Sequence, residues 1–80
     1  MKHKPGCPKC KFTMNMLKNK GYQFEDVLIH PETDRKAIQE LLDEGHQSFP
    51  VVYVYSDSGN FLDAWDDLRV DKIDKLQYLE

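Results

Sequence analysis

The chain has 80 residues, with 11 positive and 14 negative side chains and a formal net charge of -3, a length that suits one hydrophobic core and one domain over residues 1–80. At 40% hydrophobic and 31% charged residues it is too apolar for a disordered chain and has the balance of a soluble domain. No apolar run approaches the ~20 residues that span a bilayer, and Met1-Lys2-His3-Lys4-Pro5 lacks the apolar stretch of a secretory signal, so a soluble, cytoplasmic protein without a membrane partner is expected.

In chain order, Pro8 to Lys20 predicts the first helix. Pro8 suits the first helical position, Gly21 suits the position just past the end, and Phe12, Met16 and Leu17 share a face. Tyr22 to Ile29 alternates at Tyr22 and Phe24 and then runs Val27-Leu28-Ile29, which predicts a strand that becomes more buried and ends at His30-Pro31. A second helix is expected from about Thr33, where Thr33 and Asp34 offer N-cap chemistry and Ala37, Ile38, Leu41 and Leu42 form one stripe before Gly45. The β-branched and aromatic run Phe49 to Tyr55 predicts a strand. Ser56 to Asn60 then forms a hairpin loop, and Phe61 to Trp65 returns antiparallel. Asp66 or Asp67 caps a last helix carrying Val70, Ile73, Leu76 and Leu79 at near-helical spacing. Helix, strand, helix, strand, strand, helix is the order of an α/β domain with a mixed sheet.

The charges are sorted along the chain. Residues 1–20 hold six lysines and no acid, so +6, whereas residues 21–80 hold five bases and 14 acids, so -9. Basic charge confined to one end of a net acidic chain argues against a long phosphate track, and so against a nucleic-acid partner. It surrounds the only two cysteines, Cys7 and Cys10, in the motif Cys7-Pro8-Lys9-Cys10.

That motif has its own chemistry. A cysteine at the N-terminus of a helix faces free backbone N–H groups and the positive end of the helix dipole, and both favour thiolate over thiol. Lys4 and Lys9 add to this, so Cys7 is expected to titrate below the roughly 8.5 of a free thiol. Cys10, one turn further in, is expected to be more buried, to stay protonated and to resolve the mixed disulfide that Cys7 forms. Pro8 fixes the backbone between them without losing a needed donor. A structural staple is disfavoured because a bridge over two intervening residues constrains little chain. A zinc site built on His3, Cys7 and Cys10 lacks a second Cys or His pair at ribbon spacing, and His30 and His46 suit solvated loops, so no metal ligand is assigned.

Lys4-Pro5-Gly6-Cys7-Pro8-Lys9-Cys10-Lys11-Phe12-Thr13, followed after one strand and one helix by Ser48-Phe49-Pro50-Val51-Val52, resembles a dithiol glutaredoxin or an NrdH-type redoxin of the thioredoxin superfamily. The resemblance implies a thioredoxin-like, glutaredoxin-type fold: a small mixed sheet packed by three helices, with Cys7 and Cys10 catalytic and Lys4, Pro8, Lys9 and Thr13 supporting them. It also implies a cis Phe49-Pro50 bond facing Cys7, which leaves the Phe49 backbone to pair with an extended substrate. The tail Trp65-Asp66-Asp67-Leu68-Arg69-Val70-Asp71 is similar to that of NrdH-type redoxins at Trp65, Arg69 and Asp71. Phe49, Pro50, Trp65, Asp66 and Arg69 are therefore the implied substrate-binding residues, although Trp65 equally suits the core.

Glutathione-using members carry paired glycines where this chain has Asp63 and Ala64, and side chains there crowd the close approach a small tripeptide needs. The expectation is thus a thiol-disulfide oxidoreductase that reduces protein disulfides, with no bound cofactor beyond its own redox-active disulfide. Thioredoxin reductase is its expected reductant and ribonucleotide reductase an expected client. A glutathione-reduced glutaredoxin is the alternative, and a redox-inactive interaction module or a small zinc-binding module are further ones. One departure stands out: only six residues precede Cys7, and Met1-Lys2-His3-Lys4 has no apolar alternation. The first strand is expected to be very short or missing, through truncation or replacement by another chain, and the fold to be marginal.

Overall fold

The computed structural model describes residues 1–79. Eight elements follow one another: β1 (Lys2–His3), α1 (Pro8–Asn19), β2 (Val27–Leu28), α2 (Arg35–Asp43), β3 (Val51–Tyr55), β4 (Phe61–Asp66), α3 (Val70–Lys75) and a closing 3-10 turn at Leu76–Tyr78. The four strands form one mixed sheet in the order β2-β1-β3-β4. β1 runs parallel to β2 and antiparallel to β3, and β3 and β4 form an antiparallel hairpin with a bulge at Val54/Tyr55.

β3 explains the layering. Alternate side chains of a strand point to opposite faces. Val52 joins Leu17, Trp65 and Ile73 in one buried cluster, with Val54 against it, while Val51 joins Ile29 and Leu41 in a second cluster flanked by Tyr53. Helices α1 and α3 therefore cover one face of the sheet and α2 covers the other. A Lys20–Asp74 pair at 3.1 Å ties α1 to α3 at the surface.

β1 is two residues long, as the lack of apolar alternation predicts, yet it occupies the inner position between β2 and β3. Its ladder to β2 is closed by Val27 N–H to Met1 O at 2.8 Å and Ile29 N–H to His3 O at 2.7 Å. The expected strand over Tyr22–Ile29 shrinks to Val27–Leu28 for the same reason. A strand can be only as long as the partner that satisfies its backbone, and β1 offers two residues. Tyr22 and Phe24 still pack against the α1/α3 core, as side chains of an irregular segment.

Two helix faces also differ from expectation. In α1 the buried residues are Cys10, Thr13 and Leu17, whereas Phe12 is 52% exposed. The spacing i, i+3, i+7 is one helical stripe; the burial of Cys10 and Leu17 agrees with the expectation, whereas Thr13 completes the stripe although a threonine does not score as apolar. Thr13 meets its hydrogen-bonding need locally, Oγ1 donating to Lys9 O at 2.8 Å. Leu42, expected on the α2 stripe, is likewise exposed. Asp34 is the N-cap of α2, but its carboxylate accepts the His30 N–H at 2.9 Å instead of a helical N–H. The last helix is capped by Arg69 and not by Asp66, which ends β4, or by Asp67, which has φ 66°.

Candidate functional site

The topology gathers the candidate residues at one end of the sheet. β1 and β2 leave at that end, β3 enters there and β4 leaves beside it. The Lys4–Cys7 loop, the Phe49-Pro50 entry to β3 and the segment after β4 are consequently neighbours. The Phe49-Pro50 peptide bond is cis.

Cys7 is the N-cap of α1 and Pro8 its first residue. The Cys7 Sγ accepts the Cys10 N–H at 3.2 Å, one of the donors that a helix start leaves without an internal partner. Lys11 N–H donates to Cys7 O at 3.2 Å and begins the helical ladder. Cys7 and Cys10 are joined in a disulfide with their Cα atoms 5.2 Å apart. The two sulfurs differ in access: Cys7 is 8% exposed and Cys10 only 1%. Cys7 is thus the more accessible of the two.

Of the six lysines in the positive pole read from the sequence, Lys9 and Lys20 are paired with acids in space. Lys9 Nζ lies 2.7 Å from Asp67 Oδ1, so the residue between the cysteines is tied to the β4–α3 connection. Asp67 is held from two sides, since its Oδ1 also accepts the Leu68 N–H at 2.8 Å. The Lys9 hydrogen bond and then the Leu68 N–H keep the Asp67 carboxyl below its ordinary titration range. Lys4 Nζ stands 5.9 Å from the centre of the Phe49 ring, bridging the cysteine loop to the β3 entry through a cation–π contact.

The remaining candidates divide. Trp65 is 4% exposed and belongs to the core cluster, so its place is the core alternative and not a substrate groove. Its pairing opposite Val52 puts the ring on the α1/α3 face, and its buried Nε1 has no hydrogen-bond partner among the described residues. Asp66 lies opposite Val51 and so faces the other way. Its Oδ2 accepts the Gln47 N–H at 2.9 Å and lies 3.5 Å from His46 Nδ1, which holds the segment before Phe49-Pro50 against the end of β4. Arg69 is occupied by Asp71 through bonds of 3.1 and 2.9 Å, and this fork, first through its hydrogen bonds, holds the Asp71 carboxyl down at about 2. Pro50 is fully buried and Phe49 half-buried.

Sequence reasoning overlooked Asp67, the partner of the motif's own lysine. The Asp66-Asp67 doublet offered only helix capping as a signal. Tyr53 was also read only as a strand residue. Its hydroxyl donates to Glu44 at 2.5 Å, its ring and that of His46 meet in a T-shaped pair, and burial followed by the Glu44 bond pushes its titration far upward. Among the described residues, no group of three or more His, Cys, Asp or Glu side chains is placed to hold a metal ion. Likewise, no helix of the described residues is long and apolar enough to cross a membrane.

A four-stranded mixed sheet between helices, with a Cys-X-X-Cys disulfide opening α1 and a cis proline opening β3, defines the thioredoxin-like class of redox folds. Comparison with protein families matches residues 1–58 to the family described as Glutaredoxin, a span that includes both cysteines and Phe49-Pro50. The chain belongs to the glutaredoxin family, and its close cysteine pair carries the thiol-disulfide chemistry of that family. A search among curated proteins finds no match.

Proposed function

We propose that this chain is a dithiol redoxin, a single domain over residues 1–80 that reduces disulfides in other proteins in the cytoplasm. The observation that carries the reading is the unequal pair: Cys7 capping α1 with the Cys10 N–H on its sulfur, and Cys10 more deeply buried.

In the reduced protein, the N–H that meets the Cys7 sulfur stabilises a thiolate there. That thiolate attacks one sulfur of a client disulfide; a Cys7–client bond forms and the other client sulfur leaves as a thiolate that takes up a proton. Cys10 then loses its proton and attacks the Cys7 sulfur, expelling the second client thiol and closing Cys7–Cys10. Two electrons and two protons pass to the client. A flavoprotein of the thioredoxin reductase kind returns them, and ribonucleotide reductase, whose active-site disulfide needs such a donor, is the proposed client. Thr13 and Pro8 support the motif through the packing and the helix start.

Reduction by glutathione is the second reading, favoured by the family match itself. Against it stand the side chains of Asp63 and Ala64 and the Asp66 carboxylate, which already binds Gln47 and neighbours His46. Insulin reduction driven by NADPH with thioredoxin reductase, compared with NADPH, glutathione and glutathione reductase, separates the two. The first system is expected to be faster, and the opposite ranking assigns the protein to glutathione. Cys7→Ser is expected to abolish turnover in both systems, and an active Cys7→Ser variant overturns the mechanism.

A further inference from the structure

A groove of about 490 Å³ opens beside the disulfide, and neither Phe49 nor Pro50 lines it. Pro5, Pro8, Met14 and Leu28 supply its apolar lining, and both cysteines border it. Although residues 21–80 carry -9, no aspartate or glutamate among the described residues lines it. Its charged members are His3, Lys4 and Lys11. His3 is matched by Asp26 at 3.1 Å, whereas among the described residues neither Lys4 nor Lys11 has an acid within 4.0 Å. The lysines that do find acids, Lys9, Lys20 and Lys72, lie outside the groove.

The groove continues into an open sheet edge. β2 is the outermost strand, and the amides of Val27 and Ile29 are spent on β1. Strand alternation leaves the Leu28 N–H and C=O on the outer side. Val27 and Leu28 are 48% and 47% exposed, an apolar edge of the kind that pairs with another chain unless it is guarded. Their strand is parallel to β1 and leads toward the loop that carries Cys7.

We propose that this groove is the docking track for an extended, acidic segment of the client protein next to its disulfide. The segment adds to the β2 edge through the Leu28 backbone, lays apolar side chains over Pro5, Pro8, Met14 and Leu28, and sets a carboxylate against Lys11 as its disulfide meets Cys7. The assignment rests on the redoxin reading above and names its substrate class. An acidic segment fits because the rim offers two cations without acids and the lining offers nothing to repel a carboxylate. Extended backbone is what an open strand edge selects.

The test uses pre-reduced protein in single turnover with three oxidants at low salt: two cyclic disulfide peptides of equal length, one flanked by aspartates and one by lysines, and neutral hydroxyethyl disulfide. The aspartate peptide is expected to react at least about threefold faster than the lysine peptide, the size of effect one exposed charge pair confers. Lys11→Glu is expected to remove or reverse that preference, read as the ratio of the two peptide rates after each is divided by the same variant's rate with hydroxyethyl disulfide, which corrects for any change in Cys7 reactivity. Lys18→Glu makes the same charge change two turns along α1, roughly 10 Å away, and is expected to keep the preference. Equal rates for the two peptides, or a preference that Lys11→Glu leaves intact or that Lys18→Glu abolishes equally, overturn the docking track. No reaction with hydroxyethyl disulfide overturns the redoxin reading instead.

Discussion

Cys7 and Cys10 share a motif but not an environment, and the side chain between them, Lys9, is held by Asp67 at 2.7 Å. Asp67 is therefore a positioning residue for the motif's charge. Asp67→Asn frees Lys9 to turn toward Cys7, and the pH midpoint of Cys7 alkylation in the reduced protein is expected to fall by about a few tenths of a unit, as suits an exposed pair. An unchanged midpoint removes Asp67 from that role. Thr13 supplies a second contrast. Its hydroxyl is buried and bonded to Lys9 O, so Thr13→Val is expected to cost about 0.5–1.5 kcal/mol in denaturant unfolding while leaving the helix in place. The residues of the motif were readable because a helix start, a proline and two thiols at that spacing specify a chemistry. The Lys9–Asp67 tie was not, because it joins residues far apart in sequence and Asp67 sits in a left-handed turn. No local pattern announces that turn.

Among the elements, α1 and the β3–β4 hairpin were the most legible and β2 the least. Proline at the start, glycine after the end and a β-branched run broken by Ser56–Asn60 are local signals, and the structure follows them. β2 is set by a two-residue partner remote in sequence, so its own alternation overestimates its length. The face of α1 was misjudged through Phe12, whose size suggests burial but whose position lies off the Cys10, Thr13, Leu17 stripe. Leu17→Ala is accordingly expected to destabilise by about 2–5 kcal/mol, and Phe12→Ala to stay within about 0.5 kcal/mol. Chemical denaturation of the two variants checks this, and comparable losses contradict the assigned face. Trp65 follows the same logic on β4: register opposite Val52 commits it to the core, which its neighbours in sequence do not reveal.

Across the whole molecule, the segregated charge becomes a set of ties between the cysteine end and the acidic remainder. Lys9–Asp67, Lys20–Asp74 and the Arg69–Asp71 fork join or brace the α1 and α3 side. The carboxyls of Asp67 and Asp71 both titrate below their ordinary range, Asp71 at about 2. A carboxyl lowered by folding stabilises the protein above its unfolded pKa, and that contribution disappears as pH falls through the folded value. Stability is thus expected to decline as pH falls from about 4 toward about 2, with Asp71→Asn flattening the lower part of the profile. Thermal unfolding across that range measures it, and a profile identical to the parent's removes the fork from the acid transition.

The central claim is that Cys7 attacks and Cys10 resolves. It is tested most directly by mixing reduced Cys10→Ser protein with an oxidised protein disulfide and locating the trapped linkage by peptide mass spectrometry. The account predicts a stable mixed disulfide at Cys7. The complementary Cys7→Ser variant should form none at Cys10, and trapping at Cys10 at a comparable rate would contradict the assignment.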